Sequence, residues 1–442
     1  MQLNNGEFQF AGGISALELC ETYGCPLYVY DYDVIERQYK RLTTAFDVKN
    51  LKINYACKAL TNINILKLMN SLGAGLDTVS IQEVHLGLLS GFKPQDIIYT
   101  PNCVSLEEIT EAVKLGVRIN IDNISILEQF GAMYPDYPVC IRINPHIMAG
   151  GNSKISVGHI DSKFGISFHQ MPHVIRVIET TGLKVEGLHM HTGSEILDSE
   201  VFLFGADILF KQAHHFPDLD YLDFGSGFKV SYKNDGIETD IEDLGQQISK
   251  RFTFFCKEYG RDLTLMFEPG KYLVSEAGYF FAKVNVVKQT TSTVFAGIDS
   301  GLNHLIRPMM YDSYHSIINI SKSEGRKRIY TVVGYICETD TFGVNRQMFE
   351  IQEGDILCIK NAGAYCFTMA SNYNSRFRPP EVLIYNGQHH LIRKRETMDD
   401  LLYNQVEADL FQATLQSGEN MLDQLNGQKE TVKQENQNKE TE

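Results

Sequence analysis

The chain has no Cys-x-x-Cys pair, no long apolar run, no basic segment at its start and no surplus of positive charge. Each absence removes a class of function. The nine cysteines are scattered, from Cys20 to Cys366. Scattered thiols argue against a thiolate zinc site, and in a chain of 442 residues against a disulfide framework. No stretch reaches the roughly 20 apolar residues that cross a bilayer. "MQLNNGEFQF" lacks the basic and apolar regions of a signal peptide. A net charge of -15 argues against a nucleic-acid or anionic-membrane surface, though not against a local site for a small anion. The expectation is a reduced, soluble, cytoplasmic protein with no metal and no nucleic-acid or membrane partner.

What is present is length and alternation. With 43% hydrophobic residues, the chain can build one large domain and a second. Eight strand-like runs lie between 51 and 269: "LKINYAC", "AGLDTVS", "DIIYTP", "VRINIDN", "PVCIRIN", "LKVEGLHMH", "LDYLDFG" and "LTLMFEP". Amphipathic segments such as "NINILKLMNSL" and "SLEEITEAVKLG" separate them. Eight such units point to a parallel (β/α)8 barrel, with a doubly wound sheet as the competing architecture. Beyond about 278 the texture becomes β-type, as in "YFFAKVNVVKQT", "RIYTVVGYIC", "DILCIKNAG" and "EVLIYN". The expected organisation is a barrel over 32–278, a mostly β domain from 279–412 that also takes 1–31 with its strand "CPLYVYD", and a polar, disordered tail over 413–442 with a short helix possible at 419–425.

Barrel chemistry collects where strands end. Those ends read Lys58, Asp77, Thr100, Asp122, Asn144, His191, Asp223 and Glu268. Lys58 is the unusual one, an ammonium at the end of a buried run. It could be an ion-pair or phosphate clamp, or an amine made nucleophilic for imine chemistry. "GSG" at Gly225, Ser226 and Gly227 can turn N–H groups toward a phosphate, although a plain glycine turn accounts for it equally. Glu268 precedes the Pro269-Gly270 turn, and a carboxylate there can face a pyridine nitrogen. "HMHTGSE" puts His189 and His191 on one strand face. His191 suits stacking on a flat ring, Ser194 suits a phosphate, and His189 suits the core. Lysine, carboxylate, glycine loop and imidazole together describe a site for pyridoxal phosphate, which carries the chemistry while the protein orients it.

The stretches "YACKA", "GLDTVS", "RINP", "SKFGI", "HTGSEI", "DFGSGF", "EPGK", "NHLIRPMMYDSYH", "ICETD" and "GAYCFTMASNYNSRFRPPEVL" extend over about 25–410. In them the chain resembles the fold-type-III, alanine-racemase-like pyridoxal-phosphate decarboxylases. "IRPMMY" and the last stretch match members that act on meso-2,6-diaminopimelate. The resemblance implies that Lys58 holds the cofactor covalently with Asp77 nearby. It implies that His191 stacks on the ring and Glu268 pairs its nitrogen. Ser194, Gly225, Ser226, Gly227 and the turn through Pro269, Gly270 and Lys271 would bind the phosphate region. Arg307, Tyr311 and Lys271 would bind substrate carboxylate. Glu338 would bind the distal ammonium, Cys337 would act as proton donor, and Tyr365 would touch cofactor and substrate. Cys337 and Glu338 reach the partner's cofactor in this family, so a homodimer is implied.

Three positions depart from the family pattern: Lys271 where arginine is usual, "GSG" for a glycine triplet, and Tyr335 in place of proline. Lysine is a point charge and does not reproduce arginine's bidentate fork. The expected reaction is decarboxylation of meso-diaminopimelate to lysine. The alternatives are a decarboxylase of ornithine, arginine or a carboxylated polyamine, a racemase, or a non-enzymatic pyridoxal-phosphate-binding protein. Cys337 could also be a small buried hydrophobe.

Overall fold

The computed structural model describes residues 1–147, 161–193, 195–233 and 236–408. Residues 1–396 form one compact unit; a second unit begins at Thr397 and carries the short helix Met398–Leu402. The tail expected at 413–442, with its helix at 419–425, lies outside the described residues.

All eight expected strands form and close on one another. They are β1 (Leu51–Ala56), β2 (Gly75–Thr78), β3 (Ile97–Tyr99), β4 (Arg118–Ile121), β5 (Val139–Asn144), β6 (Val185–Met190), β7 (Tyr221–Asp223) and β8 (Thr264–Phe267). Each pairs in parallel with the next, and β8 returns to β1. That last pairing makes the sheet a barrel and rules out the open doubly wound alternative. The segments after the strands deliver small polar caps at the helix starts. Asn62, Ser80, Ser105, Asn123, Asp198 and Asp240 each accept a backbone N–H of the following first turn. These caps satisfy donors that a helix leaves open and fix where each helix starts. The barrel mouth is therefore a ring of short connections between buried strands and capped helices.

A second, mostly β sheet follows. Strand Leu27–Asp31 sits within it, antiparallel to Gly278–Gln289 and parallel to Glu381–Tyr385, as expected for "CPLYVYD". Strands Val294–Ile298, Ile317–Asn319, Thr341–Phe349 and Gln388–Arg393 were not among the sequence expectations. Gln388–Arg393, "QHHLIR", is almost wholly exposed and therefore carries little hydrophobic alternation.

Buried Glu381 joins this sheet to the barrel. It accepts from Tyr30 Oη at 2.7 Å and from Asn62 Nδ2 at 3.0 Å, and Arg393 pairs with it. Asn62 is the cap that follows the turn Cys57–Ala59. At the end of the turn, the Tyr365 N–H donates to the Ala59 carbonyl at 2.9 Å. The β domain thus pins the turn that carries Lys58.

Candidate active site

Lys58 leaves the core because β1 ends at Ala56 and a single 3-10 turn lifts the side chain into the barrel mouth. Its ammonium lies 3.4 Å from Asp77 Oδ2, and the side chain is 44% accessible from a cavity of about 1280 Å³. Burial would lower its pKa, but Asp77, Tyr365 and Glu268 outweigh burial and hold it above the ordinary lysine value. In the free protein Lys58 is a paired ammonium. Asp77 itself is pushed up to about 6, first by burial and then by Glu268.

Across the cavity stand His191 and Glu268, the residues directly after β6 and β8. The Ser226 N–H donates to His191 Nδ1 at 3.2 Å, which leaves the ring hydrogen on Nε2. Burial, with Arg142 and Lys58 nearby, lowers His191 to about 3. It is a neutral, flat ring at neutral pH. Glu268 Oε2 meets His189 Nε2 at 2.9 Å. Burial opposes ionisation of Glu268, yet His189 and Lys58 hold it at about 2.

This depressed imidazole has a measurable consequence. Between pH 6.5 and about 3 the unfolded chain takes up a proton at His191 that the folded chain refuses. Stability from this group is present above pH 6.5 and is lost as pH falls, by up to about 1.4 kcal/mol per pH unit. In His191→Asn the slope of unfolding free energy against pH, from denaturant melts of cofactor-free protein, is expected to be shallower below pH 6.5. Equal slopes for the two proteins would show that His191 does not titrate this way.

The glycine loop lies beside His191. Gly225 and Gly227 have φ of +60° and +127°. A Cβ on Gly227 would meet the Gly193 carbonyl oxygen at 2.4 Å, so no larger residue fits. Ser226 and Gly227 reach the cavity wall, as do Gly270 and Lys271. Gly225 is buried behind them, and the Pro269 carbonyl is occupied by the Ala56 N–H. Ser194 lies outside the described residues. Lys271 pairs with Glu195 at 3.0 Å. Burial, only partly offset by Glu195, lowers the Lys271 pKa. This chain therefore supplies a lysine-carboxylate pair where the family pattern has arginine.

Arg307, Tyr311 and Tyr365 line the same cavity. Arg307 is buried, its guanidinium 5.4 Å from the Tyr232 ring centroid, and its Nε has no acceptor among the described residues. Cys337 and Glu338 stand apart from this wall. Both are exposed, which removes the buried-hydrophobe reading of Cys337. Asn374 Nδ2 donates to Cys337 Sγ at 3.4 Å, and Tyr373 Oη donates to Glu338 at 2.7 Å. Among the strand ends, Thr100 lines the cavity, while Asp122 and Asn144 are not among its lining residues. Asp122 accepts from Asn102, and Asn144 Oδ1 accepts the His146 N–H at 2.9 Å.

Among the cavity residues not singled out from the sequence are Arg142, Glu195 and Tyr232. Arg142 was detectable as a guanidinium two residues before Asn144 inside an otherwise apolar strand.

The chain matches the family model described as "Pyridoxal-dependent decarboxylase, pyridoxal binding domain" over residues 32–275. It is 38% identical to the diaminopimelate decarboxylase of Methanothermobacter thermautotrophicus, over 92% of this chain and 97% of that protein. The chain belongs to the diaminopimelate decarboxylases of the pyridoxal-dependent family. The Escherichia coli K12 enzyme is 34% identical, with 87% and 95% covered. The crystal structure of the Helicobacter pylori diaminopimelate decarboxylase complexed with L-lysine is 32% identical and superposes with a TM-score of 0.81, covering 88% of this chain and 98% of that one.

Pyridoxal phosphate fits the donor set of this cavity. Lys58 supplies the amine and His191 a neutral flat ring. Glu268 Oε1 is a buried acceptor with no partner among the described residues, suited to a protonated ring nitrogen. Gly225 and Gly227 pack too closely on Met190, His191 and Gly193 to carry side chains, which holds the Ser226–Gly227 backbone at the cavity wall.

Proposed function

We propose that this decarboxylase converts meso-2,6-diaminopimelate to L-lysine and carbon dioxide, with Lys58, Glu268 and His191 holding pyridoxal phosphate. When bound, the cofactor supplies the sink for the electron pair left by departing carbon dioxide. Lys58 anchors it covalently, and Asp77 orients the Lys58 amine. Glu268 holds a proton at the ring nitrogen, and the His191 ring packs flat without adding charge. Residues 32–278 would serve as the cofactor-binding domain, with 1–31 and 279–412 as the β domain.

Diaminopimelate has two zwitterionic ends, and the end that does not react needs complementary charge. Arg307, buried and with an Nε that has no acceptor among the described residues, suits its carboxylate, with Tyr311 and Lys271 lining the same cavity. That fixed end orients the bond that breaks. The distal ammonium falls to Glu338 and the proton to the carbon centre comes from Cys337. Both lie off their own chain's cavity, so we assign them to the cavity of a second subunit in a homodimer. Net negative charge and unpaired thiols fit a cytoplasmic enzyme.

The single observation that carries this reading is one cavity lined by Lys58 against Asp77, Glu268 against His189, and Arg307. Incubation with meso-diaminopimelate and pyridoxal phosphate, followed for lysine and carbon dioxide, tests it; ornithine and arginine are the comparison substrates. Lysine formation is expected, and its absence removes the proposal. Arg307→Ala is expected to raise the KM for diaminopimelate roughly 10- to 100-fold, the value of a lost charge-assisted hydrogen bond. An unchanged KM would place the distal carboxylate elsewhere.

A further inference from the structure

Asp223, the last residue of β7, is buried and does not line the cavity. Its Oδ1 accepts the Gly225 N–H at 2.8 Å. The Glu268 N–H donates to the Gly225 carbonyl at 2.6 Å. One glycine therefore ties the ends of β7 and β8 together. The remaining oxygens tell a different story. Asp223 Oδ2 and Glu268 Oε1 are both buried acceptors, and neither has a donor among the described residues. One oxygen from each carboxyl group and one His189 nitrogen all lie within 4.8 Å of one another.

Two buried carboxylates at this separation cannot both stay ionised. Acceptor facing acceptor is the pattern left where a proton belongs between two groups. The ionised partner is Glu268, which has His189 Nε2 against its Oε2 and Lys58 nearby. Asp223 has no such contact; burial and the Glu268 charge raise it well above the ordinary carboxyl range. A carboxylate oxygen has two lone pairs, so Glu268 can accept from Asp223 and still face a ring nitrogen.

We propose that Asp223 is a neutral carboxylic acid and a positioning residue: it donates its proton to Glu268 and, through Gly225, sets the phosphate loop against the ring-binding carboxylate. The inference rests on the cofactor reading of the cavity but is testable apart from it. The donated hydrogen bond fixes the Glu268 carboxylate in one orientation. The same side chain, through Oδ1, starts the 225–227 turn.

The test uses the full chain without and with pyridoxal phosphate. In cofactor-free protein at pH 7, the infrared C=O band of protonated carboxylic acids, to which Glu83, raised to about 7, also contributes, is expected to lose intensity in Asp223→Asn. Cofactor affinity supplies the second readout. Asp223→Ala is expected to weaken pyridoxal phosphate binding roughly 10- to 100-fold, because a buried charged acceptor loses its donor. Asp223→Asn, whose amide can accept from Gly225 and donate to Glu268, is expected to recover most of that loss. If the alanine variant does not fold, the infrared band and the affinity of Asp223→Asn against wild type decide. An infrared band unchanged by Asp223→Asn would overturn the proposal. So would an asparagine variant that binds cofactor 10-fold or more weaker than wild type, or a stoichiometric divalent cation at these three groups. Failure of the cofactor reading itself would show differently, as wild-type protein that binds no pyridoxal phosphate.

Discussion

Lys58→Ala is expected to lower lysine formation by roughly 10⁴-fold or more, because it removes the covalent anchor and a proton-transfer group, the latter alone worth about 10²- to 10⁴-fold. The geometry makes this residue hard to replace. It stands on a single turn held through Ala59 by the Tyr365 N–H and followed by the Asn62 cap. No other lysine side chain contacts Asp77 at that end of the cavity among the described residues. Lys271, another amine on the wall, is committed to Glu195. Treating cofactor-loaded wild type with borohydride and digesting it is expected to recover the cofactor on the peptide that contains "YACKA". Recovery on a peptide containing Lys271, or retained turnover in Lys58→Ala, would end the assignment.

Cys337→Ala should leave cofactor binding intact and reduce kcat by about 10²- to 10⁴-fold, the usual range for a positioned proton donor. Its thiol is exposed and held by Asn374, away from its own chain's cavity. If it serves the neighbouring subunit, two inactive variants should complement each other. Mixing Lys58→Ala with Cys337→Ala is expected to restore about a quarter of wild-type activity, since random pairing makes half the dimers mixed and each mixed dimer has one complete site of two. No recovery from a mixture shown to exchange subunits would place Cys337 outside the partner's site. An undiminished rate in the single variant would remove it from the chemistry.

The barrel was legible because its strands are buried on both faces and bounded by turn residues, so each reads as a short apolar run. "INYACKAL" marked its lysine as unusual, an ammonium at the end of a buried run, and the other strand ends were needed to favour imine chemistry over an ion pair. Glu195 was not legible. It looks like one more polar loop residue, and only the approach of the 271 turn makes it the partner of Lys271. Arg142 was written in an alternating strand but not recognised, because its meaning depends on which face turns inward. His189 was expected to be a satisfied core residue. Its contact with Glu268 joins residues 79 positions apart, a distance at which local pattern says nothing.

By itself, the sequence determined the eight-strand alternation, the β texture of the second domain, and the residue types that end each strand, because periodicity and turn chemistry act over a few neighbouring residues. Closure of the barrel, the meeting of Asp223 with Glu268, and the separation of Cys337 from its own chain's cavity were decided only by tertiary structure. Those features depend on which distant segments pack together, and proton sharing and charge pairing depend on distances of a few ångströms that no local pattern encodes.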